Sequence, residues 1–434
     1  MKNFRFLFFL YYFPPTPGTA AKRNFRIAAY ISRLASSTHI FTSSSGLQNL
    51  PPGKDVTIET LPTFDYRYFL RQRTKDGALP EEKKKSRLAQ YLIRLINSYP
   101  INIIAGEGGL LYYIKAIRKG SKLIQREKIT HLYSSYRPFA DHYAAYHLKR
   151  KYPELIWIAD FRDLMIDPHY NHILLPGSHH AFYKKIFSNA DLLTTVSDGL
   201  ATQLRRYNSR VITVRNGIQG EIIPISPVAV SYFTLAYTGS MFLDKRNAEP
   251  LTKALGELLT EGKLDNRNVR IVYAGKDGKY WKLLTKKYAI ESLLLDKGII
   301  DAEETAVIQK NACINVLLTI SSDQLQGVLT GKMIEYFESG SPMLAIIAHQ
   351  NDPELQQILQ ELEIGDSFSD QPTDFVGIKQ FILREYLKWK ETGMNRKPVN
   401  MDVLRMKYSQ EYTMKPLVEF LIKMPDERLQ TPDA

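Results

Sequence analysis

Short apolar runs alternate with helix-length amphipathic segments along almost the whole chain, a rhythm that restricts it to parallel strands joined by crossover helices. The first series opens at residues 4–12, a run dense in aromatic side chains. Residues 14–19 read as a loop, and residues 20–34 as a helix with Phe25, Ala29 and Ile31 at helical spacing. Further short strands are expected at 39–42, 55–59, 101–105, 131–134, 155–159, 192–196 and 211–214. A polar, basic helical region covers 67–97, and an amphipathic helix covers 110–125. After Arg215-Asn216-Gly217, Pro224 and Pro227 mark a linker. A second alternating series follows, with strands expected at 233–238, 269–274, 295–299, 314–318 and 343–348. A helical stretch closes the chain at 402–424. At 434 residues the chain exceeds one ordinary core. The expected fold class is therefore α/β, with two doubly wound Rossmann-like domains at residues 1–222 and 223–400 and a C-terminal helix and tail at 401–434. Ligands of such sheets bind at the carboxyl ends of the strands, so the expected site lies in a cleft where the two domains face each other.

Composition narrows the setting. The single cysteine, Cys313, rules out a disulfide within the chain and any cysteine-based metal cluster, which favours a reducing compartment. Pro14, Pro15 and Pro17 interrupt the N-terminal apolar run, so it reads as a buried first strand and not as a signal peptide. No apolar segment approaches the roughly 20 residues needed to span a bilayer. Charge is unevenly placed: residues 1–220 hold 33 Lys and Arg against 15 Asp and Glu, a formal +18, and the remainder 25 against 30, a formal −5. Clusters lie at Arg67, Arg71, Arg73 and Lys75, at Lys83, Lys84, Lys85 and Arg87, and at Arg118, Lys119 and Lys122. An anionic membrane surface is one expected neighbour, although any single cluster also reads as a solvated face. Nucleic acid is not expected, because helix-turn-helix, zinc-finger and RNP-like patterns are missing.

The stretch from Gly327 to Pro342, followed by the apolar run 343–348, carries the most chemistry. Leu329 and Thr330 end a Gly-bounded loop that closes on Gly331, and the helix after it turns Met333, Ile334 and Phe337 toward a core until Ser339-Gly340 stops it. Lys332 and Glu335, three apart, bring their heads to the mouth of the loop beside backbone amides suited to phosphate. An ionised carboxylate is acceptor-only and matches two vicinal hydroxyls, while a lysine is a compact charge for phosphate. An amphipathic helix with a surface ion pair is the plain alternative.

This segment resembles the nucleotide-binding helix of GT-B glycosyltransferases of family 4, in the branch whose pattern runs Lys-x-x-Glu-Tyr-x-x-x-Gly-x-Pro. The resemblance implies that Glu335 accepts hydrogen bonds from the ribose of a nucleoside diphosphate sugar. It also implies that amides of the loop through Leu329, Thr330 and Gly331 hold the diphosphate and donor sugar. Many members carry a second glutamate eight residues upstream, where this chain has Gly327. Four more segments match the family in the same order. Tyr12-Phe13-Pro14-Pro15-Thr16-Pro17-Gly18-Thr19, with Lys22-Arg23 beyond it, resembles the Pro-Pro-x-x-Gly-Gly loop, with Thr19 in place of the second glycine. Residues 134–142 resemble the Ser-Ser-x-x-Pro-x-x-x-His segment, which implies that His142 reaches the reacting sugar or phosphate; a helix-start histidine with no substrate role is the plain alternative. Asp160-Phe161-Arg162-Asp163 then follows a strand, with charges that brace the loop and Asp163 near the acceptor. Residues 189–197 and 214–218 match the end-of-domain signature, which is architecture and hinge, and the resemblance implies that the C-terminal helix within 401–434 crosses back to pack on the first domain. Tyr237-Thr238-Gly239-Ser240, with Lys245-Arg246, opens the second domain; Ser240 stands where an arginine is common and Arg246 where a lysine is, so Lys332 or Lys245 supplies the missing cation.

The resemblance thus implies His142, Arg246 and Lys332 as catalytic residues. Donor binding falls to Gly18, Thr19, Gly239, Ser240, Lys245, Arg246, Leu329, Thr330, Gly331, Lys332 and Glu335. No metal and no cofactor beyond the donor sugar nucleotide is expected, since neither an Asp-x-Asp strand end nor H-E-x-x-H spacing occurs and GT-B enzymes work without metal. The expected activity is retaining transfer of a hexosyl unit to a glycan or lipid-linked acceptor, in the cytoplasm or on the inner face of its membrane. A catalytically weakened sugar-nucleotide-binding protein, or a GT-B sugar-nucleotide epimerase, are the alternatives.

Overall fold

The computed structural model describes residues 4–16, 18–43, 53, 55–63, 87–167, 172–241 and 246–429. Pro17, Lys245 and the basic clusters at 67–75 and 83–85 lie outside the described residues. The chain divides into two compact units, Met1–Arg215 with Met414–Ala434, and Asn216–Thr413.

Among the described residues the first unit is built on seven parallel strands: β1 Arg5–Phe9, β2 Ser37–Thr42, β3 Val56–Thr60, β4 His131–Tyr136, β5 Ile156–Phe161, β6 Leu192–Thr195 and β7 Val211–Thr213. Their spatial order is β3-β2-β1-β4-β5-β6-β7, so the winding reverses between β1 and β4. Helices cover both faces, which explains why β1 is a continuous apolar run. Its side chains alternate: Phe6 and Phe8 join the core with Ile27 and Ile31 of the helix Thr19–Leu34, while Leu7 and Phe9 join the one with Tyr112 and Ala116 of the helix Gly109–Glu127. The chain returns to this unit at its end, where Met414, Leu417, Leu421 and Met424 of the helix Gln410–Leu429 enter the Phe6–Phe8 core.

The second unit carries six parallel strands: β8 Phe233–Thr238, β9 Val269–Ala274, β10 Leu294–Asp296, β11 Ile314–Ser321, β12 Met343–His349 and β13 Gly365–Ser369, in the order β10-β9-β8-β11-β12-β13. Here the winding reverses between β8 and β11. Both units are therefore doubly wound α/β sheets.

Three local expectations are corrected. Residues 101–105 form no strand; Ile101–Ile104 is a one-turn helix that starts after Pro100 and closes with Ala105 N–H on Ile101 O at 2.9 Å. A four-residue apolar run has no periodicity to separate strand from helix. β13, with the sequence Gly-Asp-Ser-Phe-Ser, was not expected; it is an edge strand and needs no continuous apolar run. The closing helical stretch breaks at Ser409, whose extended backbone (φ −63°, ψ 151°) separates Met401–Tyr408 from Gln410–Leu429.

Candidate functional site

A cluster of polar groups sits at the reversal point of the second sheet, at the carboxyl ends of β8 and β11. β8 runs into Gly239-Ser240, and β11 runs through the loop 322–331 into the helix Lys332–Ser339. Gly239 has φ 117°, a region that suits glycine, and a Cβ there would stand 2.6 Å from Lys332 Nζ. The missing side chain lets the lysine lie directly on the turn. Lys332 Nζ is also 4.2 Å from the centroid of the Tyr237 ring, a cation–π distance. Arg246 reaches the same turn, donating to Ser240 O at 2.8 Å and to Tyr237 Oη at 3.3 Å, and Tyr237 Oη donates to Ser240 O at 2.9 Å. Two cations thus flank one backbone turn. Burial, and then the charge of Arg246, lower the Lys332 ammonium to about 7, with Glu335 opposing.

Glu335 lies one helical turn along from Lys332. Its Oε2 accepts from Gln309 Nε2 at 3.3 Å, and the same amide donates to Thr238 Oγ1 at 2.9 Å. Gln309, at the end of the helix Ala302–Asn311, thereby ties β8 to the carboxylate. No local sequence signal marks it. The loop that delivers Leu329, Thr330 and Gly331 is fastened by a second unforeseen residue, Asp352. One oxygen of Asp352 accepts from Gly327 N–H at 2.7 Å, while the other caps the helix Pro353–Glu361 through Glu354 N–H and Leu355 N–H. The Asp-Pro-Glu start of that helix is a cap signal, but its reach to Gly327 is visible only in three dimensions. Gly327 itself has φ 69°. Thr330 Oγ1 is buried without a hydrogen-bond partner at this loop. Gly239, Ser240, Arg246, Leu329, Thr330, Gly331, Lys332 and Glu335 are all half-buried. Lys245, the remaining candidate of this group, lies outside the described residues.

The first unit holds the other candidates. Gly18 has φ 119°, caps the helix Thr19–Leu34 and leaves open space around the position of a Cβ. Thr19 begins that helix, and both residues are exposed. One turn further, Arg23 is buried: its Nε and NH2 fork onto Asp160 at 3.0 and 2.7 Å, NH1 donates to Val214 O at 2.9 Å, and Thr194 Oγ1 donates to the same carboxylate at 2.7 Å. Burial pushes the Asp160 carboxyl up, but Arg23 and Thr194 together hold it below the usual carboxylate range. Asp160 therefore braces the end of β5. Asp163, three residues on, is exposed.

His142 departs from its expected setting. It lies in the first turns of the helix Phe139–Lys151 with 0% relative exposure, its ring 4.7 Å from Phe161 and 5.2 Å from Phe187 by centroids. Nδ1 is 2.7 Å from Ser134 Oγ, which also accepts from Trp157 Nε1 at 2.8 Å; Nε2 is buried without a partner. Burial drives the imidazole down to about 3, with Asp160 opposing, so it stays neutral. The structure places this histidine inside the aromatic core, where no ring atom is open to a sugar. Its neighbour Asp141 makes the link to the loop after β1, accepting from Tyr11 N–H at 2.9 Å and from Tyr112 Oη at 2.6 Å. Burial raises Asp141 to about 7, against the two hydrogen bonds.

No known family profile and no curated protein matches the chain. Solved structures do resemble it. A sucrose-phosphate synthase from Thermosynechococcus elongatus is 13% identical, with 98% of this chain and 100% of that one covered and a TM-score of 0.63. A glycosyltransferase from Rickettsia africae ESF-5 is 12% identical, with 100% of both chains covered and a TM-score of 0.59. WaaG, a glycosyltransferase involved in lipopolysaccharide biosynthesis, is 11% identical over 95% of this chain and 98% of its own, with a TM-score of 0.54. At such identities the likeness establishes the fold class: an α/β protein of two Rossmann-like units. Its architecture is that of GT-B.

Proposed function

We propose that the chain is a metal-independent, retaining glycosyltransferase that takes a hexosyl unit from a nucleoside diphosphate sugar and delivers it to a glycan or lipid-linked acceptor. The observation that carries this reading is the meeting of Arg246 and Lys332 on the Gly239-Ser240 turn, with Glu335 one helical turn on from Lys332 and tied to Thr238 through Gln309, at the reversal point of a doubly wound sheet. Glu335 would accept from the ribose hydroxyls, and the loop through Leu329, Thr330 and Gly331 would meet the diphosphate with backbone amides. Arg246 would fork onto phosphate oxygens, and Lys332, which lies on Gly239, would supply the second cation.

In the reaction, the bond from C1 of the sugar to the diphosphate breaks and its electron pair passes to the phosphate oxygen. The acceptor hydroxyl bonds to C1 from the same face, and its proton goes to the departing diphosphate. Charge grows on that diphosphate as the bond breaks, so Arg246 and Lys332 act most strongly in the transition state. The first unit, with its reversal point between β1 and β4, would hold the acceptor.

A panel of nucleoside diphosphate sugars, followed by mass spectrometry for free sugar, transferred sugar or epimer, tests the activity. Glu335→Ala is expected to weaken nucleoside diphosphate binding by about 1–3 kcal/mol through lost charged hydrogen bonds. Arg246→Ala should lower turnover more than affinity. Unchanged calorimetric affinity and turnover in both variants would overturn the assignment, and an epimerised donor would replace transfer by epimerisation.

A further inference from the structure

We propose that Gln309 is a positioning residue for the Glu335 carboxylate, and that through it the site selects ribonucleoside over 2′-deoxyribonucleoside diphosphates. This rests on the reading of Glu335 as the ribose acceptor and names the class of donor admitted there. Of the ten described residues of the helix Ala302–Asn311, Gln309 alone is buried, at 3% exposure. The helix thus presses a polar side chain into the protein where an apolar one would serve packing better. A buried amide costs stability unless its hydrogens find acceptors. Both do: Nε2 donates to Thr238 Oγ1 at 2.9 Å and to Glu335 Oε2 at 3.3 Å. The direction of the amide follows from the chemistry, since an ionised carboxylate only accepts and the NH2 end must face it.

The backbone of Gln309 is pinned as well. Its carbonyl accepts from Asn315 Nδ2, on β11, at 3.0 Å and from Ser341 Oγ, ahead of β12, at 3.3 Å. Asn315 is itself fully buried and donates to Ser339 Oγ at 2.9 Å, while Lys397 Nζ donates to Ser341 Oγ at 2.6 Å. Ser339 ends the helix Lys332–Ser339 that carries Glu335. That helix is therefore joined to Gln309 twice, at its last residue through Asn315 and in its first turn through the carboxylate. An amide held at both its backbone and its head fixes the plane of the group it bonds.

A fixed plane decides what the carboxylate can recognise. Ribose presents its 2′ and 3′ hydroxyls side by side, and a carboxylate held in one orientation accepts from both, one at each oxygen. A carboxylate free to turn would follow a single 3′ hydroxyl with little loss. With the plane set, a 2′-deoxy sugar leaves one oxygen unmatched in a half-buried place, the circumstance in which a hydrogen-bonding site rejects an analogue most sharply. Gln309 thus acts through Glu335 and does not itself touch the donor.

The test is calorimetry on the full chain with ADP, GDP, CDP and UDP and with the 2′-deoxy counterpart of each. For the preferred base, wild type should bind the ribo form about tenfold or more tightly than the deoxy form. Gln309→Met, which keeps the size and loses the amide, should cut that ratio to about threefold or less, and Thr238→Val, which releases the amide's other hydrogen, should lower it part of the way. Gln309→Glu gives a readout that a merely structural role would not move. Two facing carboxylates repel when both are ionised and share a proton when one is neutral, so the ratio should be lost near about pH 8 and return toward about pH 5.5. Lys332, and Arg246 beyond it, are the cations that act on this place, and Tyr336 lies beside the carboxylate. Their titration changes the ribo and deoxy affinities together and drops out of the ratio. Should Gln309→Met fail to fold, the pH dependence of Gln309→Glu decides alone. Equal binding of ribo and deoxy forms by wild type, or a ratio that Gln309→Glu leaves unchanged at every pH, would overturn the proposal and leave the transferase reading standing. No binding of any nucleoside diphosphate would remove both.

Discussion

Lys332 is held between two opposing demands, a buried seat on the Gly239 turn and a charge that a diphosphate would need. With its amine brought to about 7 and an unfolded value near 10.5, the folded protein releases the proton first. Stability should therefore rise with pH between about 7 and 10.5, because the unfolded chain binds the extra proton there. Binding of a nucleoside diphosphate works the other way, favouring the ammonium. Affinity should fall as pH climbs from 7 to 9, and calorimetry in buffers of different ionisation enthalpy should register proton uptake. Lys332→Met should lower affinity at pH 7 by about tenfold, on the order of one lost charge-assisted bond, and flatten this limb of the profile. A profile that stays the same in the variant would assign the titration elsewhere. His142 titrates in the opposite region. Its folded value of about 3 lies below the ordinary 6.5, so stability should decline as pH falls through that interval, and His142→Gln should soften the decline in acid urea titrations. Lys332 was legible as chemistry from its spacing with Glu335 and His142 only through the family resemblance, but only Lys332 sits where a ligand can reach it. The Ser-Ser-x-x-Pro-x-x-x-His pattern marks the helix start and says nothing of whether Phe161 and Phe187 close over the ring.

Among the elements, the central strands were readable because burial on both faces writes an apolar run into each of them. β1, β4, β8, β11 and β12 fall within a few residues of the expected places. The misses have physical causes. Ile101–Ile104 is too short to show a period, and β13 is an edge strand. Gln309 and Asp352 escaped because each acts across tens of residues, on Glu335 and on Gly327. Asp352 invites a measurement at this scale, since one carboxylate both starts the helix Pro353–Glu361 and fastens the donor-side loop. Asp352→Ala should cost about 1–2 kcal/mol for the lost cap and about 1–3 kcal/mol for the unmet buried amide of Gly327. Urea unfolding would read the sum, and Asp352→Asn, which keeps an acceptor, should recover part of it. A loss confined to the cap alone would mean that the Gly327 contact contributes nothing.

Over the whole molecule, the two sheets and their opposite charge balance were legible from the residues, whereas the return of the closing helix to the first domain came only with the family resemblance. The compact units part after Arg215, within the segment 214–218 read as a hinge, and again after Thr413. Met414, Leu417, Leu421 and Met424 are buried against Phe6 and Phe8, and at about 1.5–3 kcal/mol each they are worth as much as a typical domain's net stability. Ending the chain after Thr413 should strip hydrogen-exchange protection from β1 and the helix Thr19–Leu34, and leave β8, β11 and β12 protected. Equal protection in both sheets would show the last helix to be an ornament of the first core. The same return path sets the order of events on the ribosome. The second unit is one continuous length, complete at Thr413, whereas the unit that emerges first lacks part of its core until Met424 has left the exit tunnel. At roughly 5–20 residues per second, β1 waits on the order of tens of seconds with an aromatic face uncovered. The half of the protein that is made first is thus the last to be finished, and for that interval its keeping falls to the chaperones of the cell.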